Sequence, residues 1–195
     1  LLLFLQKKKN LPCLLFSPDM SDPATARLAF HRHGIADLAD SAAMWGDAQT
    51  TRHIGGQPST PEESWARLLR NAGHWALTGY GFWVARERGT GRFMGEIGFK
   101  QFRRDLDPAL EMLPEIGWVL APWAWGRGLA TEAARAVLGW ADTVPCWPQT
   151  LCMIDPDNHA SRRVAAKVGY DVFGEAAYRD KPILLLRRAR GATGH

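Results

Sequence analysis

The stretch that most constrains this chain runs from Glu115 to Ala133, EIGWVLAPWAWGRGLATEA. It begins as a short apolar, strand-like run and stops at Pro122. It then turns through Gly126 and Gly128 and opens into an alanine-rich helix. Neither glycine carries a Cβ, so the pair leaves bare backbone at a helix start. The first N–H groups of a helix have no internal acceptor, and the dipole makes that end weakly positive. Together these features form a seat for a phosphate or pyrophosphate. The same glycines also serve a plain strand-to-helix turn, and both readings stay open on this stretch.

Three phosphate-binding loops are comparable. A P-loop needs G-x-x-x-x-G-K-[ST], and no lysine follows either glycine. A dinucleotide fingerprint would want Gly or Ala at Thr131 and an acidic residue closing a second parallel strand. The third pattern, [QR]-x-x-G-x-[GA], is approached by Trp123-Ala124-Trp125-Gly126-Arg127-Gly128, with Trp123 in the place of Gln or Arg. That pattern is the acyl-CoA loop of the GNAT superfamily of N-acetyltransferases. The whole stretch resembles its RimJ/RimL-like branch, which acetylates protein N-termini and assorted small amines.

At 195 residues the chain is most simply one domain with a core of its own. A net charge of +4 is mildly basic: it helps attract a polyanion and is too small to indicate nucleic acid. The odd set Cys13, Cys146 and Cys152 has no C-x-x-C, so neither a disulfide framework nor a zinc site is indicated, and a reducing cytoplasm fits. Nine tryptophans suit an aromatic-walled pocket, although core packing is their commoner use. Leu1–Leu5 is too short to span a bilayer, and Lys7–Lys9 follows the apolar patch where a signal peptide has its charge first. Residues 1–19 therefore read as an upstream extension or a cloning-derived leader, with Met20 as the natural start. The rival reading is an amphipathic membrane-surface anchor.

Arg27–Arg32 alternates as a first strand, with His31 and His33 on one face as hydrogen-bonded or solvated side chains and no third metal ligand evident. Ile35–Trp45 carries helical spacing. Ser59-Thr60-Pro61-Glu62-Glu63 opens a second helix running to about Ala76. Gly81–Arg88 and Arg92–Lys100 form a hairpin across Gly89-Thr90-Gly91. Asp105, Asp107 and Glu111 read as a solvated loop, since a calcium loop needs closer spacing and a central glycine. Ala130, Ala133, Ala134, Val137, Leu138 and Ala141 make one apolar helix stripe. Gln149–Ile154 is a buried strand, Asn158 begins a short helix that Gly169 ends, and Tyr170–Phe173 and Ile183–Leu186 are the last strands. Arg187-Arg188-Ala189-Arg190 reads as a solvated, frayed basic terminus.

The order is β, α, α, β, β, β, α, β, α, β, β, an α/β arrangement with one mixed sheet and helices on both faces. The same order is that of GNAT proteins. A second stretch, IDPDNHASRRVAAKVGYDVFGE, resembles the family's N-x-x-S-x-x-x-x-x-K-x-G-[FY], with Asn158, Ser161, Lys167, Gly169 and Tyr170 at those places. The resemblance spans roughly Ala26 to Arg188. It implies a single GNAT domain over residues 20–190 and a tail at 191–195. Its sheet has about six to seven strands flanked by about four helices and splays at the fourth strand.

What the resemblance implies for chemistry is specific. Backbone amides from Trp125, Gly126, Arg127, Gly128, Leu129 and Ala130 hold the CoA pyrophosphate. Arg127 either adds a charge-assisted contact or stays in solvent. Trp118, Val119 and Leu120 pair with pantetheine as if it were a strand, and the Trp118 backbone N–H faces the developing oxyanion. Asn158 holds the pantetheine arm or merely caps its helix. Glu115 is the first choice of general base and Glu96 the second, and either is equally an ordinary strand charge. Ser161 is the proton donor to the CoA thiolate, with Tyr170 and Tyr178 as alternatives. Trp45, Trp65, Trp75 and the strand start Tyr80–Trp83 wall the amine acceptor. The expected function is acetyl-CoA-dependent acetylation of a small-molecule or peptide amine by direct transfer, with no metal, no nucleic acid and no membrane partner, in a cytoplasmic protein. A homodimer is compatible with it. The competing expectation is a non-catalytic acyl-CoA-binding sensor on the same fold.

Overall fold

The computed structural model describes residues 21–102, 104 and 113–194. The leader at 1–19, the start at Met20 and the acidic run of Asp105, Asp107 and Glu111 lie outside the described residues.

Seven strands form one sheet: β1 Leu28–Arg32, β2 Phe82–Glu87, β3 Phe93–Lys100, β4 Glu115–Leu120, β5 Gln149–Ile154, β6 Asp171–Tyr178 and β7 Lys181–Ala189, in spatial order β1-β2-β3-β4-β5-β7-β6. Every neighbouring pair is antiparallel except β4–β5, which is parallel. The described residues hold five α-helices: α1 Leu38–Trp45, α2 Ala48–Thr51, α3 Pro61–Thr78, α4 Leu129–Asp142 and α5 His159–Lys167. The expected order holds, with the single turn α2 added. Four residues are too few to show a 3.6-residue period, so only its cap, Asp47 accepting from the Thr50 N–H at 2.7 Å, marks it.

The helix ends follow their local chemistry. Thr60 and Glu63 exchange side-chain-to-backbone bonds in a capping box at α3, Pro61 takes the first position, and Gly79 at φ 76° ends the helix. The α4 stripe buries Ala133, Ala134, Val137, Leu138 and Ala141 on the sheet face that carries Ile97, Phe99, Ile116 and Leu120. On the other face Met44 and Trp45 of α1 pack with Val84, Phe93 and Val119. Most of the tryptophans belong to the core: Trp75, Trp83, Trp140 and Trp147 stack edge to face with centroids 4.9, 5.1 and 5.7 Å apart.

The basic run near the end is not a frayed terminus. β7 continues through Arg187 and Arg188 to Ala189, and Arg188 is buried. Its guanidinium forms a two-pronged pair with Asp142 at 2.7 and 2.8 Å while its Nε donates to the Val168 and Ala192 carbonyls. Arg190 donates to the Pro145 carbonyl. Helix ends that lack carbonyl partners recruit these arginines, which charge counting alone does not reveal. Cys152 is free and buried. No helix among the described residues is long and apolar enough to cross a membrane.

The β3–β4 register pairs Glu96 with Val119, Gly98 with Gly117, and Lys100 with Glu115. Residues two apart share a face, so Glu96, Lys100 and Glu115 lie on one side of the sheet with a glycine pair between them. A Cβ on Gly98 would stand 2.2 Å from the Gly81 carbonyl oxygen, and one on Gly117 would stand 2.8 Å from the Phe82 ring. The backbone of β2 is fixed by its pairing on both sides and cannot yield. Gly98→Ala is therefore expected to destabilise the fold by about 3 kcal/mol or more, read as a lowered denaturant midpoint at unchanged slope.

Candidate active site

The site begins where β4 leaves β5. The parallel pairing consists of Glu115 with Leu151 and Ile116 with Cys152, and β4 continues to Leu120 without β5 beside it. Ala121 donates its N–H to the Met94 carbonyl, which sets the alternation of the antiparallel β3–β4 ladder. By that alternation the backbone groups of Gly117 and Val119 face β3, and those of Trp118 and Leu120 face the gap. Of the three residues expected to meet an extended ligand, Trp118 and Leu120 thus present backbone polar groups, and Val119 spends its own within the sheet. The Leu120 carbonyl accepts the Trp125 indole N–H at 2.9 Å.

The loop after β4 takes the form that its glycines permit. Gly126 and Gly128 both sit at positive φ, 72° and 75°, where a side chain is disfavoured. Gly128 is the N-cap of α4, and no side chain caps that end. The set of open amides begins at Gly126 and not at Trp125, because the Trp125 N–H donates to the Pro122 carbonyl. Trp123, the departure from the expected motif, anchors the loop instead: its indole donates to the Phe93 carbonyl at 2.9 Å, and Arg92 and Arg127 stack on its ring at 4.2 and 5.1 Å. Arg127 is also paired with Glu87 at 3.3 Å, on the side of the loop away from the cleft. A cleft of about 650 Å³ runs from Gly126–Thr131 past Trp118–Leu120 to the start of α5, and the segment after α2 forms its other wall.

A second cleft, of about 310 Å³, opens on the face that carries Glu96, Lys100 and Glu115. The two share His53, Ile54, Trp118, Val119, Asn158 and Ser161, so they meet at the splayed part of β4. Asn158 caps α5 by accepting the Ser161 N–H at 3.0 Å, which leaves its Nδ2 without a hydrogen bond to the described residues. The Ser161 Oγ accepts the Trp118 indole N–H at 3.3 Å and stands at the junction of the clefts.

The two candidate carboxylates are shifted in opposite directions. Glu115 is held through both oxygens by Arg104, at 2.9 and 3.0 Å. Burial raises its pKa above the ordinary carboxylate value, with Arg104 opposing. Glu96 is fully buried, and burial opposes its charge. His33, the Ser41 hydroxyl and the Trp45 indole N–H outweigh that and hold it below its usual value. Lys100 sits across from Glu115 and donates to Asn71 Oδ1. Burial lowers its pKa to about 8, assisted by Arg70 and Arg67 and opposed by Glu96.

Other expected residues fall elsewhere. Tyr170 is buried against Thr150 and lines neither cleft, and burial pushes its phenol further up. Tyr178 lies under Arg104, whose guanidinium is 4.6 Å from its ring centre. Of the aromatic wall, Trp45 and Phe82 line the smaller cleft. Trp75 lies on the buried stripe of α3 with Ser64, Leu68 and Asn71, Trp65 one position past Ser64 turns outward, and Trp83 takes the opposite face of β2 from Phe82. His31 bonds Asp37, while His33 bonds the Phe82 carbonyl through Nδ1 and Asn71 through Nε2. Among the described residues no group of three His, Cys, Asp or Glu side chains is placed to hold a metal.

Several site residues carry no signal in sequence. His53 reaches Asp155 at 3.2 Å across the clefts, and Arg67, Asn71 and Lys100 converge from α3 and β3. The only cue was Lys100 at the polar end of an apolar strand.

The sequence profile described as an acetyltransferase (GNAT) domain matches residues 27–171. A Bacillus subtilis protein, uncharacterised YkkB, is 35% identical over 112 residues, 56% of this chain; the chain spans 63% of that relative's length. Among solved structures, a Bordetella pertussis protein assigned to the GnaT acetyltransferase family is 29% identical with a TM-score of 0.77, covering 87% of this chain and 100% of its own. An Agrobacterium tumefaciens acetyltransferase is 26% identical with a TM-score of 0.72, covering 86% of this chain and 95% of its own. A Vibrio cholerae spermidine N-acetyltransferase, in complex with CoA and spermine, shares the fold at 12% identity and a TM-score of 0.68, covering 86% of this chain and 98% of its own. With the splayed strand, the glycine loop and the family match in agreement, this chain belongs to the GNAT acetyltransferase-domain family.

Proposed function

We propose that this protein transfers an acetyl group from acetyl-CoA directly to a primary amine, and that its acceptor is a small molecule or peptide, as in the RimJ/RimL-like branch. The observation that carries this reading is the junction at Trp118: an unpaired strand edge with a glycine-lined helix start at one end and a buried carboxylate on the adjoining face. The residues fit the cofactor. Gly126 through Ala130 offer amides at an uncapped helix start to a diphosphate, Trp118 and Leu120 offer a strand edge to pantetheine, and Asn158 offers its amide. Acetyl-CoA supplies the activated acyl group.

This chain's residues then have separable tasks. Holding the two reactants side by side at Trp118 is worth about 7–11 kcal/mol of barrier when alignment is good. The Trp118 N–H stabilises charge that develops on oxygen at the gap edge. Proton removal from the amine, through water, falls to Glu96 in place of Glu115. Both carboxylates have each oxygen engaged, but Glu96 takes a hydroxyl and an indole that hold it below its ordinary value, whereas burial pushes Glu115 up and Arg104 grips it in a two-pronged ion pair. Glu115 then positions Arg104. Ser161 is the proton donor, since a thiolate leaving group with an ordinary pKa of ~8.5 asks little of a hydroxyl. Direct transfer is also the reading that suits Cys152, since burial pushes its thiol well up and disfavours the thiolate an acyl carrier needs.

One observation favours the sensor reading: the Trp125 indole occupies the Leu120 carbonyl that an extended ligand would use. Calorimetry with coenzyme A and a thiol-release assay with an amine panel separate the two. Binding with turnover supports transfer, binding without turnover on any amine supports the sensor, and no binding sinks both. Gly128→Val puts a branched side chain at φ 75° and is expected to weaken coenzyme A binding about tenfold. Glu96→Gln should lower kcat about a hundredfold near neutral pH. The deficit should shrink as pH rises and the amine loses its proton unaided. Glu115→Gln should instead act mainly on KM, and an equal loss of kcat in both variants would return the base to Glu115. Ser161→Ala should lower kcat about tenfold with coenzyme A affinity little changed.

A further inference from the structure

Among the described residues, the cations lining the smaller cleft at the start of β4 outnumber the carboxylates that could pair with them. The cleft's carboxylates are all engaged: Glu115 by Arg104, Asp155 by His53, and Glu96 by Ser41, Trp45 and His33. Arg67, Arg70 and Lys100 line the same cleft and have no carboxylate within ion-pair distance among the described residues. Arg67 and Lys100 both feel the Glu96 charge and, opposing it, that of Arg70, and Lys100 also feels Arg67.

The arrangement is fixed in place. The Arg67 guanidinium lies on the Trp45 ring at 3.7 Å and donates through Nη2 to Ser59 at 3.1 Å, while its Nη1 is buried without a hydrogen-bond partner among the described residues. A buried guanidinium nitrogen left unsatisfied is costly, and a stacked guanidinium presents its remaining donors in a rigid fork suited to a planar or tetrahedral anion. Lys100 spends one donor on Asn71 and rests on the Phe82 ring at 4.8 Å, which leaves donors for a ligand. Arg70 is exposed at the rim.

This cationic group is not a seat for the cofactor's diphosphate. It stands at the Glu115 end of β4, opposite Lys100, whereas the glycine loop follows the Leu120 end. At ~3.3 Å per residue the strand between them is roughly 17 Å long. We propose that the amine acceptor carries an anionic group, a carboxylate or a phosphonate-type group, bound by Arg67, Arg70 and Lys100 while its amine points to Glu96. The cleft volume of about 310 Å³ suits a compact, amino-acid-sized molecule. This rests on the acetyl-transfer reading and narrows it away from polycationic acceptors, which the same three cations repel.

The test compares kcat/KM at saturating acetyl-CoA for an α-amino acid, its carboxamide, its decarboxylated amine, an aminoalkylphosphonate and a polyamine. The anionic acceptors should exceed the matched neutral and cationic amines by about tenfold or more, and the carboxylate and phosphonate arms show which anion fits. In Arg70→Gln and Lys100→Gln the ratio of acid to amide should fall toward one, through KM. Arg70 is exposed, so its replacement does not disturb the core, and melting temperatures check both variants. If the carboxamide or the polyamine is accepted as well as the acid, or if neither variant changes the ratio, the anion site is refuted while acetyl transfer stands. Turnover with no amine in the panel overturns the transfer reading and this one with it.

Discussion

The structure depends on one interrupted interaction, the parallel pairing of β4 with β5. Two bridged residue pairs hold the strands together at Glu115 and Ile116, and beyond them β4 keeps only its β3 partner. Backbone groups in a sheet interior are otherwise obliged to pair, so an edge opened in the middle of a sheet is an invitation to a ligand that can act as a strand. Everything else is arranged around keeping that edge open and rigid. Trp123 ties the following loop to β3, Gly126 and Gly128 turn the chain at positive φ, and α4 packs its alanine stripe on the sheet. The helix start therefore arrives at the mouth of the gap with its amides uncapped.

The two faces of β4 divide the work. On one, Ile116, Trp118 and Leu120 meet α4 and the core. On the other, Glu115, Gly117 and Val119 line the smaller cleft with Glu96 and Lys100. Glycines at 98 and 117 let β2 and Phe82 approach closely between the charged positions. The result is a polar floor whose carboxylates are held by neighbouring side chains. Low local dielectric makes such groups strong recognition elements and heavy liabilities when unpaired, so the balance among Glu96, Glu115, Arg104 and Lys100 bears on both stability and chemistry.

Local chemistry was readable from the chain because it depends on residues near one another in sequence. The Thr60–Glu63 capping box, the Asn158 cap, the hairpin at Gly89–Gly91, the α4 stripe and the glycine loop all follow from spacings of a few residues. The readings that failed depended on partners far along the chain. The arginines after Leu186 passed for a loose tail because Asp142 and the Val168 carbonyl are invisible at that distance. The aromatic wall was overdrawn because residue type does not show which side of α3 or β2 turns inward, and Trp65, Trp75 and Trp83 all turn elsewhere.

The amino-acid sequence by itself determined the succession of strands and helices, the turn through Gly126 and Gly128, and the short list of groups able to carry acyl chemistry. Those follow from backbone conformational limits and from apolar periodicity, which each segment satisfies alone. Only the tertiary structure decided the partners of the charges: that Arg104 takes Glu115, that Ser41, Trp45 and His33 hold Glu96 below its ordinary value, and that Arg67 and Lys100 line a cleft with no carboxylate in ion-pair range among the described residues. The physical reason is that the ionisation and partners of a buried group are set by the nearest charges and dipoles in space, which the folded sheet brings together from α1, α3, β3 and β4.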